Sequence, residues 1–168
     1  MLKVAALLLV GCTTLGAQAP ANDMQTLWSQ STDNVLKSAT QAPESLYSFK
    51  PTASVRTFGQ ILAHVAGSQD MFCAAALGEK PSAEDAIEKT KTTKADIVAA
   101  LKASNDRCAK AYVMPFQDLQ GKAELFGQSM SKRYWLLANA GHNMEHYGNL
   151  VTYMRINNMV PPTSQPAK

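Results

Sequence analysis

His142 and His146 stand four residues apart in GHNMEHYGNL, residues 141–150, with Glu145 just before the second. Successive helical residues turn by about 100°, so the two imidazoles project about 40° apart from one helix face and can share an ion. The chain's third and last histidine, His64, lies in the helically spaced run ILAHVAGSQ, at the edge of its apolar arc, from where it can point inward and complete three nitrogen ligands. Three neutral imidazoles leave a divalent ion its full charge and at least one open position, the pattern of a catalytic rather than a structural site. Such an ion acidifies a bound water or thiol, or polarises a carbonyl. An all-imidazole shell suits zinc, nickel, iron or copper, and zinc is the default expectation. The alternative is a set of core or edge histidines satisfied by hydrogen bonds within the fold.

Trp135, Asn139, Asn149 and Tyr153 share the strip that carries the two histidines, so polar and aromatic groups gather in one segment. Asn149, Tyr153 and Glu145 are the candidates to orient ligands or substrate; each also has a purely structural reading. The order His-x-x-Glu-His formally matches the inverted zinc-protease signature. Such a protease draws its third ligand from an acid well downstream, and no Asp or Glu follows His146. A serine-hydrolase elbow and a phosphate-binding glycine loop are both missing from the sequence.

The elements that must position these residues are helical. Apolar spacing predicts four long helices and no strand, an all-α four-helix bundle. Residues 24–41 carry Met24, Trp28, Ser31, Val35 and Ala39 on one stripe and stop before Pro43. Residues 55–77 follow, with Ser54 or Thr57 as cap and Gly78 as stop. Thr93 to Asp96 reads as a capping box for a third helix with stripe Ile97, Leu101, Ser104, Cys108 and Tyr112, ended by Pro115. The fourth helix, from Ser129 or Ser131 to Asn157, is apolar round much of its circumference, so it is either central or packed on a partner chain. Gly141 and Gly148 lie on nearly one line of it, and a close neighbouring helix would explain both. The domain spans residues 22–160, and residues 161–168 read as a polar, disordered tail.

Ahead of the domain, residues 1–19 read as a secretory signal: a short basic start, an apolar run over 4–10, then small residues. Two processing sites compete. Leu9-Val10-Gly11-Cys12 resembles a lipobox, which would tether the protein to a membrane by a lipid on Cys12; Ala17-Gln18-Ala19 is a peptidase site that would release it. Either route implies export, to the periplasm or cell envelope of a bacterium. An oxidising compartment permits a bridge between Cys73 and Cys108, whose helices turn them toward the interior; two buried free thiols are the alternative. A net charge of +3 with acids and lysines interleaved gives no basic stripe, which excludes a nucleic-acid partner.

Three pieces of the sequence, VRTFGQILAHVAGSQ around His64, GEKP after it, and ANAGHNMEHYGNLVTYMR with a following VPP, resemble the DinB family of helical metalloproteins. The resemblance covers nearly the whole chain beyond the signal. It implies a four-helix bundle, commonly a homodimer, holding a divalent ion on His64, His142 and His146. It further implies a small-molecule substrate, since characterised relatives include thiol transferases and isomerases that hold a sulfur on the metal. Export would separate this chain from the cytosolic thiols those relatives use, so a transferase or hydrolase is the expected class. The competing expectation is a non-enzymatic, metal-bearing stress or envelope binding protein.

Overall fold

Side-chain caps fix where the long helices begin. Thr57 accepts from the Gln60 amide while the Gln60 side chain accepts from the Thr57 amide, a reciprocal box that opens α2, Phe58–Leu77. The start at Phe58 lies three residues later than the apolar spacing suggests, because the cap rather than Val55 sets it. Thr93 accepts from the Asp96 amide to open α4, Lys94–Tyr112, and Ser131 does the same for Tyr134 to open α6, Lys132–Ile156. Gly78 ends α2 in the left-handed conformation, φ 79°, which costs glycine nothing. The computed structural model describes residues 23–166, beginning with α1, Asp23–Gln41. The expected signal, with Cys12, lies outside the described residues. No helix among them is long and apolar enough to cross a membrane.

The four long helices among the described residues form a bundle in which α2 packs on α4 and α6, and α1 on α6 and α4. Of the two readings of the fourth helix, central or packed on a partner chain, the first does not hold: α2 is the enclosed member, with only Gln60 exposed along it and Asp70 and Leu77 half-buried. Burying side chains such as Phe58, Leu62 and Val65 completely contributes about 1.5 to 3 kcal/mol each. A disulfide joins Cys73 of α2 to Cys108 of α4. Trp28 stacks on Tyr112 at 4.6 Å beside it, and Asn139 of α6 donates to the Tyr112 hydroxyl.

One buried amide ties all four long helices. Gln69 Oε1 accepts from Trp28 Nε1 at 2.9 Å and from Asn143 Nδ2 at 2.8 Å; its Nε2 donates to Ser104 Oγ and Asn105 Oδ1. All hydrogen-bonding capacity of that side chain is thereby used, as burial requires.

Four other expectations need correction. A two-stranded antiparallel hairpin, β1 (Lys122–Leu125) and β2 (Gln128–Ser131), precedes α6. Its two-residue turn takes Phe126 and Gly127 to φ 54° and 72°, the positive values such hairpins need. Four-residue strands are too short to show alternation, so the sequence pattern missed them. Short helices α3, Ala86–Thr90, and α5, Phe116–Leu119, interrupt connections read as plain loops. The supposed disordered tail is ordered over residues 161–166: Pro162–Ser164 form a 3₁₀ turn, Tyr147 and Thr163 hydroxyls lie 2.9 Å apart, and Gln165 donates to Gln41. Finally, nothing among the described residues lies within 4 Å of a Cβ built on Gly141 or Gly148, so no described helix of the same chain approaches them. They fall on an open stripe of α6 with the exposed Tyr134, Leu137 and Met144.

Candidate metal centre

His64 occupies the second turn of α2, where the Thr57 cap and the buried flanks Leu62 and Val65 hold its rotation. It faces α6. His142 Nε2 lies 3.1 Å from His64 Nε2 and 3.1 Å from His146 Nε2, and the three ligand atoms all fall within 4.8 Å of one another. His64 and His146 are buried and His142 half-buried. Burial foremost, then the neighbouring imidazoles, pushes His142 down to about 3; burial likewise lowers His64 and His146. The rings are therefore neutral at neutral pH, with lone pairs free for a cation.

The convergence itself fits an ion better than a self-contained hydrogen-bond cluster. Three inward nitrogens share two short contacts, and the Nδ1 atoms of His64 and His142 are buried with no hydrogen-bond partner. If Nε2 of each ring faces a cation, each Nδ1 carries a proton and needs an acceptor. Glu88 Oε2 lies 3.7 Å from His64 Nδ1, itself held by Arg56 Nε at 3.0 and 3.2 Å. The Asn149 amide lies 3.4 Å from His146 Nδ1 and serves that ring once its oxygen is turned to it.

The remaining candidates divide. Asn149 borders the cluster. Tyr153 is one step removed: its hydroxyl donates to the Arg56 carbonyl at 2.9 Å and so fixes the segment that carries Arg56. Glu145 is exposed and outside the group of three. Instead, two acids that sequence reasoning passed over stand beside the rings. Glu84 Oε1 lies 3.8 Å from His64 Nε2 and 4.0 Å from His142 Nε2, and Glu88 flanks the other side of His64. Both lie in a stretch of alternating lysines and acids that has the signature of a solvated surface, and no spacing rule marks them out.

A cavity of about 620 Å³ opens beside His146, lined by Val55, Arg56, Ile61, Asn149 and Tyr153 among others. Toward the hairpin, the Phe72 ring lies 6.2 Å from that of His142, and Phe126 and Trp135 pack against Phe72 at 6.1 Å each. The cluster thus has a mixed polar cavity at one ring and an aromatic wall at another.

The family model for the DinB superfamily matches residues 27–150, which takes in all three histidines. This chain belongs to the DinB superfamily. Among solved structures, a DinB-like protein from Bacillus cereus ATCC 10987 is similar at TM-score 0.70 and 17% identity, over 84% of this chain and 95% of that one. The DinB-like protein YjoA of Bacillus subtilis is similar at TM-score 0.66 and 17% identity, over 86% and 99% of the two chains. At that identity the likeness speaks for the DinB-like fold alone. No curated protein matches the sequence significantly. Fold and family leave the three histidines of this DinB superfamily member, two buried and one half-buried, as a group able to hold a metal ion.

Proposed function

We propose that this protein is an exported metal-dependent enzyme acting on small molecules, of thiol-transferase or hydrolase type. The observation that carries the reading is the meeting of three imidazole nitrogens at the edge of a 620 Å³ cavity, with His146 common to both. His64, His142 and His146 would hold the ion. When bound, it supplies Lewis acidity toward a carbonyl or an acidic water or thiol. Glu88 and Asn149 orient two of the rings, Arg56 and Asn149 present polar groups to the cavity, and Val55 and Ile61 offer apolar surface to substrate. Zinc is the first candidate, with nickel, iron and copper also suited to imidazole. The Cys73–Cys108 bridge supports a location outside the reducing cytosol.

The test is direct. Protein purified without chelator is expected to carry one divalent ion per chain, and to turn over a member of an ester and electrophile panel screened with and without added thiol. Turnover is expected to stop on chelation and return with metal. Metal-loaded protein inert toward the whole panel would instead favour a non-enzymatic binding protein.

A second copy of the chain is the proposed occupant of the open α6 stripe. Tyr134, Leu137 and Met144 are each more than two-fifths exposed, and the bare backbone at Gly141 and Gly148 allows an identical helix to cross closely about a two-fold axis. Light scattering is expected to give the mass of a dimer for the wild type and a monomer for Leu137→Glu. A wild-type monomer at micromolar concentration would sink the pairing.

A further inference from the structure

Resting on the metal reading above, we propose that Glu84 is a fourth ligand of the ion, brought to it by the segment before α3 across a gap that only glycine at position 67 leaves open. A Cβ on Gly67 would run into the Glu84 carbonyl oxygen and meet Ile87 Cβ at 3.6 Å. The segment therefore lies directly on the α2 backbone, one turn from His64. Ser68, the next residue of α2, donates to Glu84 Oε1 at 3.1 Å and aims the carboxylate at the rings.

The geometry suits a ligand. With bonds of 2.0 to 2.1 Å, donors in a tetrahedral zinc shell sit about 3.4 Å apart. Oε1 at 3.8 and 4.0 Å from the Nε2 atoms of His64 and His142 needs a shift of roughly half an ångström to reach that spacing. The carboxylate meets the His64–His142 edge of the cluster, whereas the cavity borders His146, so an atom entering from the cavity would join the ion as a fifth donor.

Charge separates Glu84 from its neighbour. Glu88 is neutralised by Arg56 and stands 3.7 Å from Nδ1 of His64, near enough to accept its proton after a small shift. Among the described residues, no lysine or arginine pairs with Glu84; within 4.0 Å it meets only the neutral rings of His64 and His142 as basic groups. A carboxylate so placed halves the net charge of a divalent ion held by neutral rings. The α3 region thus grips His64 from both sides, one acid for the ring and one for the metal.

Apo wild type, Glu84→Ala, Glu84→Gln and Gly67→Ala are titrated with Co(II), reading affinity by chelator competition and coordination by the visible d–d bands. Glu84→Ala is expected to weaken Co(II) binding by on the order of tenfold or more and to move the d–d bands, with Glu84→Gln between it and wild type. Gly67→Ala is expected to shift both readouts in the same direction with the carboxylate still present. Should Gly67→Ala not fold by circular dichroism, the two Glu84 variants decide alone. A Glu84→Ala protein with the wild-type Co(II) spectrum overturns the ligand assignment, whatever its affinity. Wild type that takes up no Co(II) fails differently: the three-histidine reading goes, and this inference with it.

Discussion

His142→Ala is expected to fold and to lose its ion. Nε2 of this residue is the middle donor, 3.1 Å from each of the other two, so its removal leaves a pair of nitrogens on separate helices with no donor between them. The loss in affinity should exceed the roughly 100-fold that removal of an outer-shell partner causes. Thermal unfolding gives the larger signal. An ion present at a thousand times its dissociation constant adds about 4 kcal/mol to the folded state, on the order of 10 °C in Tm for a domain of this size. Zinc should raise the wild-type melting temperature by about that much and leave His142→Ala unmoved. Metal-free His142→Ala should melt within a few degrees of metal-free wild type, because the half-buried ring gives up only its Nε2 contacts to His64 and His146 and its packing on Phe72. An undiminished zinc-dependent shift in the variant would remove the metal centre from the protein.

Removing the bridge between α2 and α4 is expected to lower stability by about 3 to 4 kcal/mol, the loop-closure entropy for a crosslink of this span. The two cysteines are 35 residues apart and both completely buried. The double variant Cys73→Ala, Cys108→Ala isolates the effect without leaving a reactive thiol, and its urea midpoint against wild type reads it. Reducing agent should shift the wild type toward the variant and leave the variant itself unchanged. Thiol titration of unfolded, unreduced wild type should find no free Cys73 or Cys108; two thiols there would refute the crosslink.

The all-α fold was legible because its signals are local. Caps at Thr57, Thr93 and Ser131 and a glycine stop at 78 each act within about one helix turn, and the stripe from Ile97 to Tyr112 lies within a single helix. The three histidines were legible for a similar reason: two sit at helical spacing and the third falls within an apolar helix. Depth was harder to read. Leu137 and Met144 made α6 look enclosed, yet both are exposed, and the enclosed helix is α2, whose many small residues admit close neighbours. Glu84 and Glu88 were invisible for a different reason. Their importance comes from where a connection crosses α2, which depends on Gly67 and on contacts far apart in sequence. The positive φ at Phe126, a residue with no preference for it, similarly hid the hairpin turn.

The side chain of Gln69, held by partners on three other helices, acts as a clasp on the whole bundle. No long helix can slide or roll without parting from it. The imidazoles carried by α2 and α6 therefore keep station in the absence of a cation, and capture demands little ordering of the chain. Small zinc domains are assembled by their metal; an ion held by these rings would instead be expected to leave and return while the polypeptide stays folded, its occupancy following supply in the surroundings rather than the history of folding.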